Sequence, residues 1–347
     1  MKPLRDVPLS PLCTMQVGGL ARHLVEAHTE ADVKGALAWA AEQGVAARVL
    51  GGGSNIVVGD SGVDGLVLCV RTRGIETRAL PSGEVLVTAA AGERWDDFVA
   101  LTVTENWQGL ECLSGIPGLV GATPIQNVGA YGQEVAETIS HVRVLDRHSL
   151  EVLELAASEC AFAYRDSRLK SAEPDRFVVL AVTYRLTPGG APAVRYAELQ
   201  KHLASVGSAQ PSLAEVRETV IHLRRQKSMV LDAVDPNRRS CGSFFVNPVV
   251  AAELASLVQA SAAPKAMPQW PQADGRVKLA AGWLIEQSGF AKGTRRGAVG
   301  LSSRHALAIV CHDGASAADV LAFAEEIKTG VHERFGVELT PEPVIWS

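Results

Sequence analysis

Residues 50–60 read LGGGSNIVVGD and residues 114–134 read SGIPGLVGATPIQNVGAYGQE, and the fold turns on what these two glycine-rich segments are for. In the first, the glycines close the strand-like run RVLGG (48–52) and lead into Ser-Asn. Glycine tolerates positive φ and lets backbone N–H groups come close to an anion, which a phosphate cradle needs. No Gly-Lys-Ser/Thr follows, so this is not a P-loop. A strand rather than a helix comes next, so it is not a dinucleotide fingerprint either. Taken alone, the segment fits a tight turn as well as it fits a phosphate cradle. The second segment has glycines at 115, 118, 121, 129 and 132, interleaved with Thr123, Gln126 and Asn127 and few charges. A coil of that length inside a compact domain is usually functional. Ile116, Leu119, Val120, Ile125 and Val128 make a disordered linker a poor reading. They predict a buried loop whose backbone hydrogen bonds go to something other than water, such as a flat heteroaromatic ligand with a diphosphate.

Outward from these segments, strand and helix patterns are mixed. HLVEA (23–27), GLVLCV (65–70), EVLVTAAAG (84–92), HVRVLD (141–146), VLEL (152–155), FVVLAVTYRL (177–186) and HALAIVCH (305–312) read as strands. ADVKGALAWAAEQG (31–44) reads as a helix stopped by its glycine, and RWDDFVALTVTENWQG (94–109) as a helix closed by Gly109. Ser212 and Glu215 form a capping box, and Val216, Val220 and Leu223 give the helix that follows its apolar stripe. AAGWLIEQSGF is helical, and Val320, Ala324, Ile327, Val331 and Phe335 mark a long amphipathic helix. TPGGAPAVRYAELQKH (187–202) reads as a polar bridge, and 231–275 as a Gly/Pro-containing segment. The class is α+β, in three units with boundaries near 72 and 222.

Composition bounds the partners. A chain of 347 residues predicts about two or three domains. With 33 basic and 38 acidic residues the net charge is −5, which argues against gripping a nucleic-acid duplex and leaves room for a local anion pocket. No apolar run is long enough for a bilayer span, and MKPLRDVPLSPL lacks the apolar core of a signal peptide, so no membrane insertion and a cytoplasmic location are expected. The six cysteines are scattered with no C-x-x-C, and the histidines form no ligand-spaced pair, so neither a disulfide framework nor a metal is expected.

The two glycine segments, followed in order by YRDSRLK (164–170), CGSFFVNP (241–248), AAGWLIEQSG (280–289) and GVELTPEPVIW (336–346), resemble the UDP-N-acetylenolpyruvoylglucosamine reductases. These are FAD enzymes that complete UDP-N-acetylmuramate in bacterial cell-wall synthesis. The likeness covers essentially the whole chain. It implies an FAD-binding pair of α+β domains of the vanillyl-alcohol-oxidase type plus a C-terminal α+β substrate-binding domain. On that pattern, 1–72 and 73–222 form the FAD-binding pair, 223–336 the substrate domain, and 337–347 a tail returning to the first. The cofactors implied are FAD and NADPH, the partner a sugar nucleotide, and the state a monomer.

The resemblance also implies roles. Ser243 of G-S-F-F stands as proton donor, Arg165 of Y-R-D-S as the carboxylate-binding guanidinium, and Glu342 of the final P-E as the catalytic glutamate. The cofactor would lie on Gly51, Gly52, Gly53, Ser54, Asn55, Ser114, Ile116, Pro117, Gly118, Gly121, Ala122, Thr123, Gly129 and Ala130. Tyr196, in the inserted loop of one family branch, would meet the sugar nucleotide together with Lys227, Asn247, Gln287, Tyr131 and Arg224. Cys311, Pro343 and Cys241 depart from the usual pattern without removing any of these residues.

The chemistry accounts for the residue types. Reduction of a vinyl ether carboxylate leaves a carbanion beside a carboxylate, and a permanently charged guanidinium suits the growing oxygen charge. A serine hydroxyl is a weak acid, adequate for so basic a carbon. Glu342 contributes only if protonated or hydrogen-bonded to the substrate, which predicts a carboxyl with a raised pKa. Individually these residues have plainer readings: a surface Arg–Asp pair, a turn serine, an exposed terminal glutamate, and in 224–227 a solvated helix end. Two other functions fit the same scaffold. A flavin oxidase would need a base and often a flavin-linking residue, for which Cys112 is the thiol candidate. The other is a binding relative without turnover, which the joint retention of Ser243, Arg165 and Glu342 opposes.

Overall fold

The computed structural model describes residues 2–261 and 266–346. The chain divides into two compact units. One comprises Met1–Val7, Ala21–Gly52 and Asp64–Leu231, the other Pro8–Leu20, Gly53–Val63 and Asp232–Ser347.

The first unit carries two sheets. In the four-stranded sheet the order is Leu4–Pro8, Leu20–Ala27, Val63–Val70, Ala47–Leu50. The last two are parallel, with Leu50 opposite Cys69, so the first glycine segment leaves the end of an edge strand. Helix α1 (Glu30–Gln43) starts at a Thr29–Asp32 capping box and stops at Gly44, whose φ of 66° supplies the left-handed cap. Its Val33, Ala36, Leu37 and Ala40 share one face and pack with Val25, Leu66 and Leu68. In the larger sheet Val152–Ala156, Ile139–Asp146, Phe177–Pro188, Val85–Ala90 and Ile75–Ala79 lie side by side, all antiparallel. Helix α2 (Trp95–Thr104) buries Trp95 and Phe98 against Tyr184 of this sheet, with ring centroids 5.9 and 5.2 Å away. Helices α3 (Ala197–Ser205) and α4 (Leu213–Gln226) pack through Leu199, Leu203, Val216, Val220 and Leu223 around Cys112. The capping box at Ser212 and Glu215 is present.

The second unit is built on three further helices: α5 (Ala252–Ser261), α6 (Ala281–Gln287) and α7 (Ala317–Phe335). Val320, Phe323, Ile327 and Val331 of α7 pack with Phe244, Phe245, Leu284 and Ile285. The start of α7 is doubly capped. Ser316 and Asp319 form a box, and the Asp60 carboxylate accepts from the N–H groups of Ala317 and Ala318 at 2.8 and 2.9 Å. Val344–Trp346 runs parallel to Ile56–Val58, so the C-terminal strand lies beside the continuation of the first glycine segment.

Four local expectations change. Helix α2 ends at Thr104 rather than Gly109, because Asn106 takes φ of 56° and Trp107–Gln108 pairs as a short strand. Only Ile309–Cys311 of HALAIVCH is strand. The Ser302 hydroxyl accepts from the N–H groups of Arg304 and His305, turning the backbone just ahead of it. The polar bridge contains α3, and the Gly/Pro-containing segment contains α5. Among the described residues, no helix is long and apolar enough to cross a membrane.

Candidate active site

In the first unit the two glycine segments touch. A Cβ at Gly52 would stand 2.7 Å from Gly118 Cα, and one at Gly121 2.5 Å from Ala91 Cβ, so neither position can carry a side chain without moving backbone or neighbour. A Cβ at Gly51, by contrast, would meet nothing closer than Ala122 Cβ at 3.9 Å, an ordinary contact, so that backbone is less tightly covered. Arg71 donates to the Gly51 carbonyl at 3.2 Å and steadies the turn. Ser114 and Thr123 are buried and already committed. Ser114 Oγ donates to the Glu111 carbonyl at 2.7 Å, and Thr123 Oγ1 donates to the Val120 carbonyl and lies 2.8 Å from the Tyr184 hydroxyl. Ile116 and Ala130 pack on the core, and Gly118 has φ of 123°. This is a wall of close-packed backbone, least crowded at Gly51, and it fits a flat cofactor whose phosphates need N–H groups rather than side chains.

Arg165 sits in a tight turn, where Ala163 and Asp166 exchange backbone hydrogen bonds of 3.0 and 3.1 Å. Its own φ is 55°, an unusual conformation for a residue with a side chain. The guanidinium donates to the Gly129 carbonyl at 2.7 Å and the Asn127 carbonyl at 3.5 Å, both in the second glycine segment. A Cβ at Gly129 would come within 3.1 Å of Arg165 Nη1 and 2.8 Å of Glu134 Cγ, so the glycine lets this contact form. Asn127, 1% exposed, ties the arrangement together. Its amide donates to Glu134 at 2.7 Å and to the Ala163 carbonyl at 3.0 Å, and its oxygen accepts from Ala136 N–H at 3.1 Å.

A second cluster in the same unit collects Tyr131, Tyr196, Lys227 and Arg224. The two tyrosine rings meet edge to face at 5.5 Å, and Lys227 Nζ lies 5.8 Å from the Tyr131 ring centre. Burial pushes the Tyr131 phenol up to about 12 and raises that of Tyr196, so both remain hydroxyls at neutral pH. Arg224 donates to the Met229 carbonyl at 2.6 Å, and its buried Nε has no hydrogen-bond partner among the described residues. Burial lowers the pKa of this guanidinium, against the opposing pull of Tyr131 and Asp96. An unmatched cationic donor beside two phenols and an ammonium suits an anionic, hydroxyl-rich ligand.

In the second unit backbone pairing holds the segments that carry Ser243 and Glu342. Gly53 has φ of 63°, and a Cβ there would fall 2.0 Å from the Leu12 carbonyl oxygen, which only glycine permits. Phe245 bridges to Pro341, and Glu342 N–H donates to the Phe244 carbonyl at 2.8 Å, so Ser243 and Glu342 flank one short antiparallel pairing. Asn55 brackets Glu342 from the other side. Its amide donates to the Glu342 carbonyl at 3.3 Å, and its carbonyl accepts from Val344 N–H at 3.1 Å. Ser54 is partly buried next to it. Asn247 caps α6, accepting from Ala281 N–H at 2.9 Å, and Gln287 ends that helix.

The structure thus brings Arg165 to the second glycine segment, joins Tyr131, Tyr196, Lys227 and Arg224, and sets Glu342 beside the Gly-Ser-Phe-Phe turn. Sequence reasoning did not find Asn127, Asp96 or Glu198 as supporting residues, because each acts through partners far along the chain. Cys112 is unsuited to linking a flavin. It is fully buried in the α3–α4 cluster, its thiol donates to the Ala193 carbonyl at 3.2 Å, and burial raises its pKa to about 12.

Comparison with known proteins agrees along the chain. Residues 21–154 match the FAD binding domain family, and residues 235–346 match the C-terminal domain family of UDP-N-acetylenolpyruvoylglucosamine reductase. The UDP-N-acetylenolpyruvoylglucosamine reductase of Salinispora arenicola is 47% identical over 99% of this chain and 95% of its own. That of Streptomyces coelicolor is 45% identical over 99% of this chain and 90% of its own. The crystal structure of the corresponding reductase from Thermus caldophilus shares the fold, with a TM-score of 0.68 at 24% identity and 100% coverage of both chains.

Proposed function

The chain belongs to the UDP-N-acetylenolpyruvoylglucosamine reductase family, and from that premise we propose that it reduces UDP-N-acetylglucosamine enolpyruvate to UDP-N-acetylmuramate with FAD and NADPH, in bacterial peptidoglycan precursor synthesis. The observation that carries this reading is the 47% identity along 99% of the chain to a relative of that name. We further infer a cytoplasmic monomer.

In this reading the backbone of Gly51, Gly52 and Gly53, of Ser54 and Asn55, and of the segment from Ser114 to Ala130 holds FAD. Close glycine packing supports that assignment, as does the commitment of the Ser114 and Thr123 hydroxyls elsewhere. Bound FAD, reduced by NADPH, supplies the hydride. The protein's task is the charge that hydride addition leaves on the substrate. Arg165, with its guanidinium anchored on the Gly129 carbonyl, stabilises the oxygen charge growing on the substrate carboxylate. Removing one such preorganised donor costs about 2.7–4 kcal/mol of barrier. Ser243 delivers the proton to the neighbouring carbon. Glu342, fixed through its backbone by Phe244 and Asn55, acts as a hydrogen-bonding acid toward the same group. Tyr131, Tyr196, Arg224 and Lys227 receive the nucleotide diphosphate, and Asn247 and Gln287 the rest of the sugar nucleotide.

The test is a pair of half-reactions. Purified protein is expected to be yellow, to bleach with NADPH, and to recolour when the enolpyruvyl sugar nucleotide is added without oxygen. Ser243→Ala should bleach as the wild type does and recolour at least 100-fold more slowly, a typical general-acid contribution being about 10²–10⁴. A colourless protein, or recolouring of the variant at the wild-type rate, would overturn the assignment.

A further inference from the structure

Lys227 is already engaged. Its Nζ lies 2.5 Å from Glu198 Oε2, with about a third of the lysine side chain and two-fifths of the glutamate side chain exposed. Glu198 belongs to the first turn of α3, the helix whose N-cap is Tyr196, and Tyr196 in turn packs edge to face on Tyr131. The same carboxylate acts on both phenols, adding to the effect of burial in raising their pKa values. One carboxylate is therefore paired with Lys227 and near enough to Tyr131 and Tyr196 to act on both. Arg195, the residue before Tyr196, is paired with Glu137 and Lys227 with Glu198, so the two ends of this turn are held to their surroundings by separate ion pairs. The charged and titratable groups in and around the cluster include Arg224 of α4 and its C-cap Lys227, Tyr131 of the second glycine segment, Arg195, Tyr196 and Glu198 of the turn that leads into α3, and, behind them, Glu137 on Arg195 and Asp96 toward Arg224.

A diphosphate and a carboxylate cannot both take one ammonium without bringing like charges within a few ångströms, where repulsion is appreciable even in a partly solvated site. We propose that Glu198 competes with the substrate's diphosphate for Lys227, so that binding exchanges one anion for the other and frees the first turn of α3, with Tyr196, from its tie to α4. This rests on the assignment of Lys227 and Tyr196 to the diphosphate. Glu198 is on this view a residue that sets substrate affinity, and it acts through Lys227 rather than on the reacting atoms. Its cost to binding is that of opening one half-exposed ion pair, which corresponds to about a two- to fivefold change in affinity.

The experiment titrates the oxidised, FAD-loaded enzyme with UDP-N-acetylglucosamine enolpyruvate, without NADPH, following the flavin spectrum. Glu198→Gln, which keeps size and hydrogen bonding but removes charge, is expected to lower Kd about two- to fivefold at low ionic strength. The gain should shrink as salt is added. Lys227→Ala should raise Kd at least tenfold, and adding Glu198→Gln to it should change Kd no further. A Glu198→Gln enzyme that binds as the wild type does, or more weakly, while Lys227→Ala still loses affinity, would overturn the competition and leave Glu198 as a residue that orients the lysine. Unchanged binding in Lys227→Ala would instead remove the diphosphate assignment beneath it, and the competition with it. Flavin content measured on each variant separates these outcomes from misfolding.

Discussion

Arg165 in the first unit and Glu342 in the second are two side chains we propose for the reacting group, and the chain fixes them by different means. Arg165 stands at φ of 55° in a turn closed by the Ala163–Asp166 backbone pair, and a web of side chains adds to it: its own guanidinium on the Gly129 carbonyl, Lys170 on its carbonyl at 2.8 Å, and Asn127 linking Ala163, Glu134 and Ala136. Glu342 is held through its backbone, by pairing to Phe244 and by the parallel strand Val344–Trp346 beside Ile56–Val58. A position held by side chains fails when a distant side chain is lost. One held by the ladder tolerates such losses and fails when backbone pairing is broken.

The sharpest way to break this contrast is at Arg165 itself. Arg165→Lys keeps a positive charge but loses the planar fork that reaches two carbonyls and a carboxylate together. We expect kcat to fall about 10²–10³-fold, the range for losing a preorganised donor to a developing oxyanion. Flavin reduction by NADPH should be unaffected. Rapid-mixing traces of the two half-reactions check this, and a tenfold loss or less would mean that charge alone suffices.

Next in size is Asn127→Ala. The substitution takes from Ala136 N–H its Asn127 acceptor and leaves the Ala163 carbonyl with Asp166 N–H alone of its two donors, at about 1–3 kcal/mol of stability. Because those groups frame the Arg165 turn, kcat should fall with stability. Denaturant titration and steady-state assays on one preparation test both, and full activity in a destabilised variant would detach Asn127 from the arginine. The matching change in the second unit, Asn55→Ala, removes the 3.3 Å hydrogen bond to the Glu342 carbonyl while the ladder persists. A loss of about 0.5–1.5 kcal/mol is expected. A loss equal to that of Asn127→Ala would erase the distinction.

The same contrast explains what could be read from the sequence. Ser212 with Glu215, Gly44 after an alanine-rich run, and the Val320-to-Phe335 stripe announce helices because cap and face lie within a few residues of each other. Helix α3 gives no such notice. Its N-cap is Tyr196, which makes no capping hydrogen bond, and Gly-Gly-Ala-Pro precedes it, so the segment reads as a bridge. Helix α2 was overrun to Gly109 because nothing local reveals that Asn106 turns to positive φ. At the site, the ordered motifs led to Ser243, Arg165, Glu342 and Lys227 by resemblance. The supporting residues were hidden: Asn127 to Ala163 spans 36 positions and Lys227 to Glu198 spans 29, and periodicity carries no information at that range.

The smallest expected effect concerns how each unit pins its glycine segment. In the second, the Gly53 carbonyl accepts from Thr14 alone among the hydrogen bonds described, from its N–H at 3.0 Å and its hydroxyl at 3.4 Å, with no charged group involved. In the first, Gly115 N–H donates at 2.6 Å to Asp96, whose carboxylate also takes two hydrogen bonds from Arg217 at 2.6 and 3.0 Å. Burial works to raise the Asp96 pKa, but Arg217 and the Gly115 N–H outweigh it and hold the carboxyl below its ordinary value. A carboxyl depressed in the folded state adds stability that is fully present above its unfolded pKa of about 3.9 and is lost as pH falls through the lower folded value. With over a third of the side chain exposed, the contribution is about 1 kcal/mol or less. Asp96→Asn should therefore be less stable than the wild type at neutral pH, and the gap should begin to narrow as pH falls below about 4 and close once pH passes the lower folded value. A gap that stays constant down to pH 3 would mean that shape and neutral hydrogen bonding, rather than charge, secure the start of the second glycine segment.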